Sequence, residues 1–149
     1  NGDRRPVTLV FARERTVESI KEAMFARRTA VLWAGKLMGD EQFLRPLYEA
    51  SVRVTTPSVK MAGRGRAFVQ IHNRSSVDFI LSRIESPEEL NIPQRIVLPA
   101  QKTALLELRG RGTAQAGIRK MALSYRVRNL LVTADETLPV VIPVEVHFK

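Results

Sequence analysis

Two histidines, at positions 72 and 147, are the whole imidazole complement of this 149-residue chain, and cysteine is absent. Metal centres and covalent nucleophiles draw on few residue types, so this scarcity bounds the chemistry. Without cysteine there are no disulfides, thiolate nucleophiles or Cys-based metal sites. Two isolated histidines fall short of a three-ligand centre. His72 in "HNRSS" and His147 on the last strand therefore read as surface residues. No G-x-S-x-G elbow presents a serine, and neither histidine stands in a context that marks a triad partner. Glu14, Glu18 and Glu22 recur at helical steps, but with no metal ligand beside them they read as solvated helix charges. The expectation is a chain with no catalytic residue, no metal ligand and no cofactor of its own.

What the sequence does offer is cationic. Lys and Arg number 24 against 15 Asp and Glu, a net charge of +9, and the excess is uneven. Residues 1–50 hold nine cations against seven carboxylates, whereas residues 51–149 hold fifteen against eight. Lys120, Ala122, Ser124, Arg126 and Arg128 are alternate residues of one strand, which makes Lys120, Arg126 and Arg128 a candidate anion-binding face. Outward charges also keep strands from pairing with neighbouring molecules, and a platform for single-stranded nucleic acid wants aromatics among the cations. Tyr125 and Phe148 point to the apolar side by period. The pattern thus argues against nucleic acid and favours a phosphorylated or polyanionic partner. "GRGR" at 63–66 and "GRG" at 110–112 look like pieces of Gly/Arg tracts, yet as isolated copies between strands they read as turns with solvated arginines.

The elements that carry these residues change character near Ser51. Before it, Val7–Ala12 has strand composition, and Thr16 is placed to cap a helix with Glu18 in its first turn. Val17, Ile20, Ala23 and Met24 share one face of that helix, which ends near Arg27 and Arg28 before residues 29–34 return to strand, giving a βαβ unit. Gly35 and Lys36 suggest a turn with Leu37 and Met38 pairing back. Asp40 can cap a second helix whose apolar side is Phe43, Leu44, Leu47 and Tyr48, with Pro46 expected to kink or restart it. From Ser51 the period becomes alternating, with about seven strands expected at 51–56, 66–73, 77–84, 94–98, 103–109, 119–128 and 139–148. Met121, Leu123, Tyr125 and Val127 oppose Lys120, Ser124, Arg126 and Arg128, and Val144, Val146 and Phe148 oppose Glu145, His147 and Lys149. "SPEE" at 86–89 reads as a capped helical turn. The fold class is α+β: a short N-terminal βαβ/helical segment at 1–50, then an all-β, immunoglobulin-like antiparallel sandwich at 51–149.

Composition, with 44% apolar and 26% charged residues, is that of a globular protein. No apolar run approaches the roughly 20 residues that cross a bilayer, so no membrane partner is expected. The start, "NGDRRPVT", lacks both an initiator Met and a signal-like stretch and reads as a processed or excised end.

Residues 5–52, through "TLVFA", "SIKEAMFARRT" and the "LMGDEQFLRPLYEASV" exit, resemble the segment that closes the catalytic barrel of bacterial phosphoesterases of the polymerase and histidinol phosphatase (PHP) superfamily. In the branch it is similar to, a β-sandwich tail follows the barrel. The resemblance implies a parent hydrolase that holds divalent metals through a His-x-His and an Asp-x-His and activates a water against a phosphate ester. Neither motif occurs here, so no ligand carries over. It also implies that 1–50 are terminal barrel elements and that 51–149 are an accessory domain for packing, oligomerisation or substrate access. The partner would be the N-terminal catalytic barrel of the same protein, with a homo-oligomer through Phe43, Leu44 and Tyr48 as a further expectation. A free-standing basic sandwich that binds a polyanion is the alternative. Localisation is left open between a bacterial periplasm and cytoplasm.

Overall fold

The structure, a computed structural model, describes residues 5–149, so the first four residues of the start read above as an excised end lie outside the described residues. The chain divides into two units. One takes the residues up to Ala50 together with Asn129–Leu138, and the other takes Ser51–Arg128 and Pro139–Lys149.

In the first unit, β1 (Val7–Val10) is followed by α1 (Val17–Phe25), β2 (Thr29–Trp33), β3 (Lys36–Gly39) and α2 (Glu41–Ser51). The Thr16 hydroxyl accepts from the Ser19 amide at 3.2 Å and so fixes the start of α1. Its end carries paired reverse bonds, Arg28 N to Ala23 O at 2.9 Å and Arg27 N to Met24 O at 3.1 Å, with Arg27 left-handed at φ 57°. The chain therefore turns back sharply, and the Phe11 amide donates to the Arg28 carbonyl at 2.9 Å. β1 and β2 consequently pair antiparallel, Val7 opposite Leu32 and Val10 opposite Thr29. This corrects the expected βαβ unit: α1 is an excursion from a hairpin, not a crossover between parallel strands. The Arg28 guanidinium donates to the Phe11 carbonyl at 3.2 Å and to both oxygens of Glu22.

β2 and β3 close through a two-residue turn at Ala34 and Gly35, both at positive φ (51° and 76°), so Lys36 is already in the strand. The Asp40 carboxylate accepts from the Gln42 amide at 3.0 Å and caps α2. Pro46 does not restart that helix, which is continuous from Glu41 to Ser51. Pro46 lies on the exposed side, so its missing N–H releases only the carbonyl of exposed Gln42 to water. Parallel pairing of Leu37 with Leu130 and of Met38 with Leu131 adds the 129–138 hairpin tip to this unit.

The second unit is a β-sandwich. Among the described residues it has nine strands: β4 (Val52–Val54), β5 (Ser58–Met61), β6 (Arg66–Asn73), β7 (Phe79–Arg83), β8 (Leu90–Asn91), β9 (Arg95–Leu98), β10 (Thr103–Gly110), β11 (Gly117–Leu131) and β12 (Thr137–Phe148). About seven were expected, and the two without a sequence signal are short pieces, β5 and β8. One sheet runs β5–β12–β11–β7–β9 and the other β4–β6–β10–β8. Pairing is antiparallel except for β5, which lies parallel to β12 with Ser58 opposite Glu145. The expected alternation places Val69, Ile71, Leu106 and Leu108 of one sheet, and Leu81, Leu123, Tyr125, Val127 and Val146 of the other, inside the core. "SPEE" is a turn and not a helix: the Ser86 hydroxyl donates to the Leu90 carbonyl at 2.8 Å.

Asn73 is a polar residue sealed into this core. Asn73 donates to the Val77 and Leu98 carbonyls at 2.8 and 2.9 Å and accepts from the Ser75 amide and hydroxyl at 2.9 and 2.8 Å. Every hydrogen-bonding position of the amide is used, which is what makes its complete burial tolerable. The Tyr125 hydroxyl likewise donates to the Pro93 carbonyl at 3.0 Å, and burial pushes the phenol's pKa up.

Candidate functional site

The first unit carries the clearest unsatisfied surface. A helix on a soluble protein normally turns its large apolar side inward. α1 does the reverse: Ala23 is its buried residue, while Val17 (62% exposed), Ile20, Met24 and Phe25 (88% exposed) face solvent. The face read in the sequence as one stripe thus splits, the small Ala23 turning to its own unit and the large residues outward. Val7 of β1 and Trp33 of β2 are also half-exposed, and β1 is the end strand of its sheet. An apolar helix face beside an open strand edge is a surface built to be covered.

Phe43, Leu44 and Tyr48, the expected oligomer contact, do not form such a surface. Leu44 and Tyr48 are buried within the chain, and Phe43 stacks on Phe11 with ring centroids 5.3 Å apart. Burial also pushes the Tyr48 phenol's pKa up. These side chains already belong to the core, so the apolar side of α2 is spent on the molecule itself.

In the second unit the two histidines are widely placed along the strands. His72 shares a 3.0 Å hydrogen bond with the Thr103 hydroxyl. His147 brings together Ser58 and Glu145: its Nε2 lies 3.1 Å from Ser58 Oγ and 2.6 Å from Glu145 Oε1. Those residue types invite comparison with a nucleophilic triad. In a triad, however, the imidazole presents one nitrogen to the hydroxyl and the other to the carboxylate. Here both partners crowd the same nitrogen, so the ring cannot relay a proton between them. The bond from His147, ahead of the charge of Lys120, holds the Glu145 carboxyl below the usual carboxylate range. Among the described residues, no three His, Cys, Asp or Glu side chains gather to hold a metal ion.

Lys120, Arg126 and Arg128 are exposed on β11, alternating with the buried Val127. The charge of Lys120 also favours the ionised form of Glu145. An open cleft of about 360 Å³ lies between the 85–87 turn and β11, lined by Glu85, Ser86, Pro87, Met121, Ala122 and Ser124. Its lining has two hydroxyls and one carboxylate but no histidine, lysine or arginine. Among the exposed apolar residues that escaped the sequence reading are Phe68 and Leu105, both on the outer face of the four-stranded sheet. The signal was present, since Phe68 alternates in step with Arg66 and Gln70.

Three solved structures are similar to this chain. A two-domain protein from Bacteroides vulgatus ATCC 8482, containing a predicted PHP-like metal-dependent phosphoesterase, superposes over 95% of this chain with a TM-score of 0.79 and 26% identity. The chain spans 39% of that protein's length. A Porphyromonas gingivalis W83 protein of unknown function matches 66% of this chain and 47% of its own at a TM-score of 0.44 and 12% identity. The E. coli chaperone DraB matches 66% and 55% at 0.46 and 14%. No curated protein matches. The family model for DUF5001, an Ig-like domain, matches residues 52–143, and the chain therefore belongs to that Ig-like family.

Proposed function

We propose that this chain is the non-catalytic C-terminal region of a PHP-like metal-dependent phosphoesterase. Residues 5–50 supply the last elements of the catalytic body, and the Ig-like sandwich serves in packing or substrate access. The observation that carries this reading is the inverted helix α1, whose Val17, Ile20, Met24 and Phe25 face outward. The likeness to the B. vulgatus protein, most of which lies beyond the part this chain matches, supplies the occupant: the remainder of the same polypeptide. The residues present do not fit the metal centre such an enzyme requires, because the two histidines are held by Thr103, Ser58 and Glu145 on the sandwich and no further histidine exists. The ligands and the reaction would belong to the body against which α1 packs.

The test compares one substitution in two contexts. Phe25→Asp in this chain alone should leave its melting temperature nearly unchanged, since an exposed ring loses little. In the longer protein the same change would bury a charge against an apolar surface, lower the melting temperature by several degrees and reduce phosphomonoester hydrolysis in the presence of Mn²⁺. If the longer protein tolerates Phe25→Asp as well as the chain does, α1 is not covered and the reading fails.

A further inference from the structure

The two Gly/Arg tracts, 63–66 and 109–112, are not separate turns. Gly110 N donates to Gly65 O at 3.0 Å, and the backbones come so close that a Cβ on Gly110 would lie 2.1 Å from the Gly63 carbonyl oxygen. Glycine is required there because only a residue without a side chain permits the approach. The Arg64 side chain lies against Gly112, and Arg111 is tied to the rim by its guanidinium bond to the Leu90 carbonyl at 3.1 Å. Arg66 sits directly opposite Arg109 on the outer face of the same sheet. Like charges in direct cross-strand register are destabilising, and the pair is tolerated here with Arg109 turned to Glu107. Four exposed arginines therefore converge at one end of the β6–β10 ladder, drawn from sequence positions more than forty residues apart.

The same face continues away from them. Along β6 the outward residues run Arg66, Phe68, Gln70 and His72, and Arg53 of β4 stands opposite His72. The strip is roughly 20 Å long at about 3.3 Å per residue. Cations stand at both ends. Between them Phe68 is 50% exposed and Leu105 62%. Phosphates held at the ends and a base stacked on the ring in the middle is the arrangement that binds a single strand. A partner recognised by charge alone would gain nothing from an exposed phenyl ring. The aromatic that the basic row on β11 lacks is thus present on the opposite sheet.

We propose that the outer face of the β4–β6–β10–β8 sheet binds single-stranded nucleic acid, with Arg64, Arg66 and Arg111 on the backbone phosphates and Phe68 stacking a base. This does not depend on the phosphoesterase reading. The probe is a fluorescein-labelled oligothymidylate, titrated with this chain and followed by anisotropy as salt is raised. Binding is expected at low salt, weakening with a log–log slope of about −2, as three neutralised phosphates require at about −0.7 each. Arg64→Ala with Arg66→Ala should weaken it at least tenfold. Phe68→Ala should weaken it about fivefold while leaving heparin binding unchanged, and Phe68→Leu, which keeps the apolar area but not the ring, should behave the same way. Lys120→Ala, Arg126→Ala and Arg128→Ala together should have little effect, and thermal melting by circular dichroism should be unaltered in all variants. Absence of binding at low salt, loss confined to the β11 variant, or a Phe68→Ala chain that binds as well as the parent would each overturn the proposal.

Discussion

At the residue scale the most consequential side chain is Asn73, which holds two carbonyls and both hydrogen-bonding groups of Ser75 with one buried amide. Asn73→Ala should cost about 3 kcal/mol, measured by urea unfolding, because it leaves several buried partners unsatisfied. Asn73→Asp should cost more, since it replaces a two-proton donor with an acceptor facing two carbonyls. A cost under about 1 kcal/mol for either would mean water substitutes for the amide. This role was not legible beforehand. "HNRSS" signals a turn through its composition, but the bonds to Val77 and Leu98 depend on where β9 returns. His72 and His147 were legible as surface residues from their isolation. The meeting of His147 with Ser58 was not, because β5 had no recognised strand signal and its parallel register sets the contact.

At the element scale, period-two alternation made the long strands readable: β6 and β12 keep it nearly end to end. In β11 it breaks at Asn129 and Leu130, consecutive buried residues at which the chain passes to the first unit. Helix α1 was found by its Thr16 cap, but its facing was not, since a 3.6-residue period identifies an apolar stripe and not what the stripe will meet. The turn between β2 and β3 gives a direct check. Ala34 occupies a left-handed position that favours Asn, so Ala34→Asn should stabilise the chain by about 0.5–1 kcal/mol, read as a rise in melting temperature. No change or a fall would show that the hairpin is not held in the primed turn. Pro46 shows the opposite lesson: a residue that usually disrupts a helix stands inside a continuous one, on its exposed side.

At the scale of the whole molecule, an Ig-like sandwich is joined to a segment whose helix α1 turns large apolar side chains outward. Leu37, Leu44 and Tyr48 of that segment are buried. In the proposed reading, a longer body of the same polypeptide covers that exterior. Met24 reports on this directly, because a thioether oxidises at a rate set by its exposure. Hydrogen peroxide treatment followed by peptide mass spectrometry would compare Met24, 55% exposed here, with buried Met61 as the internal reference. The account predicts rapid Met24 oxidation in this chain and slow oxidation, near the rate of Met61, in the longer protein. Equally rapid oxidation of Met24 in both would contradict it.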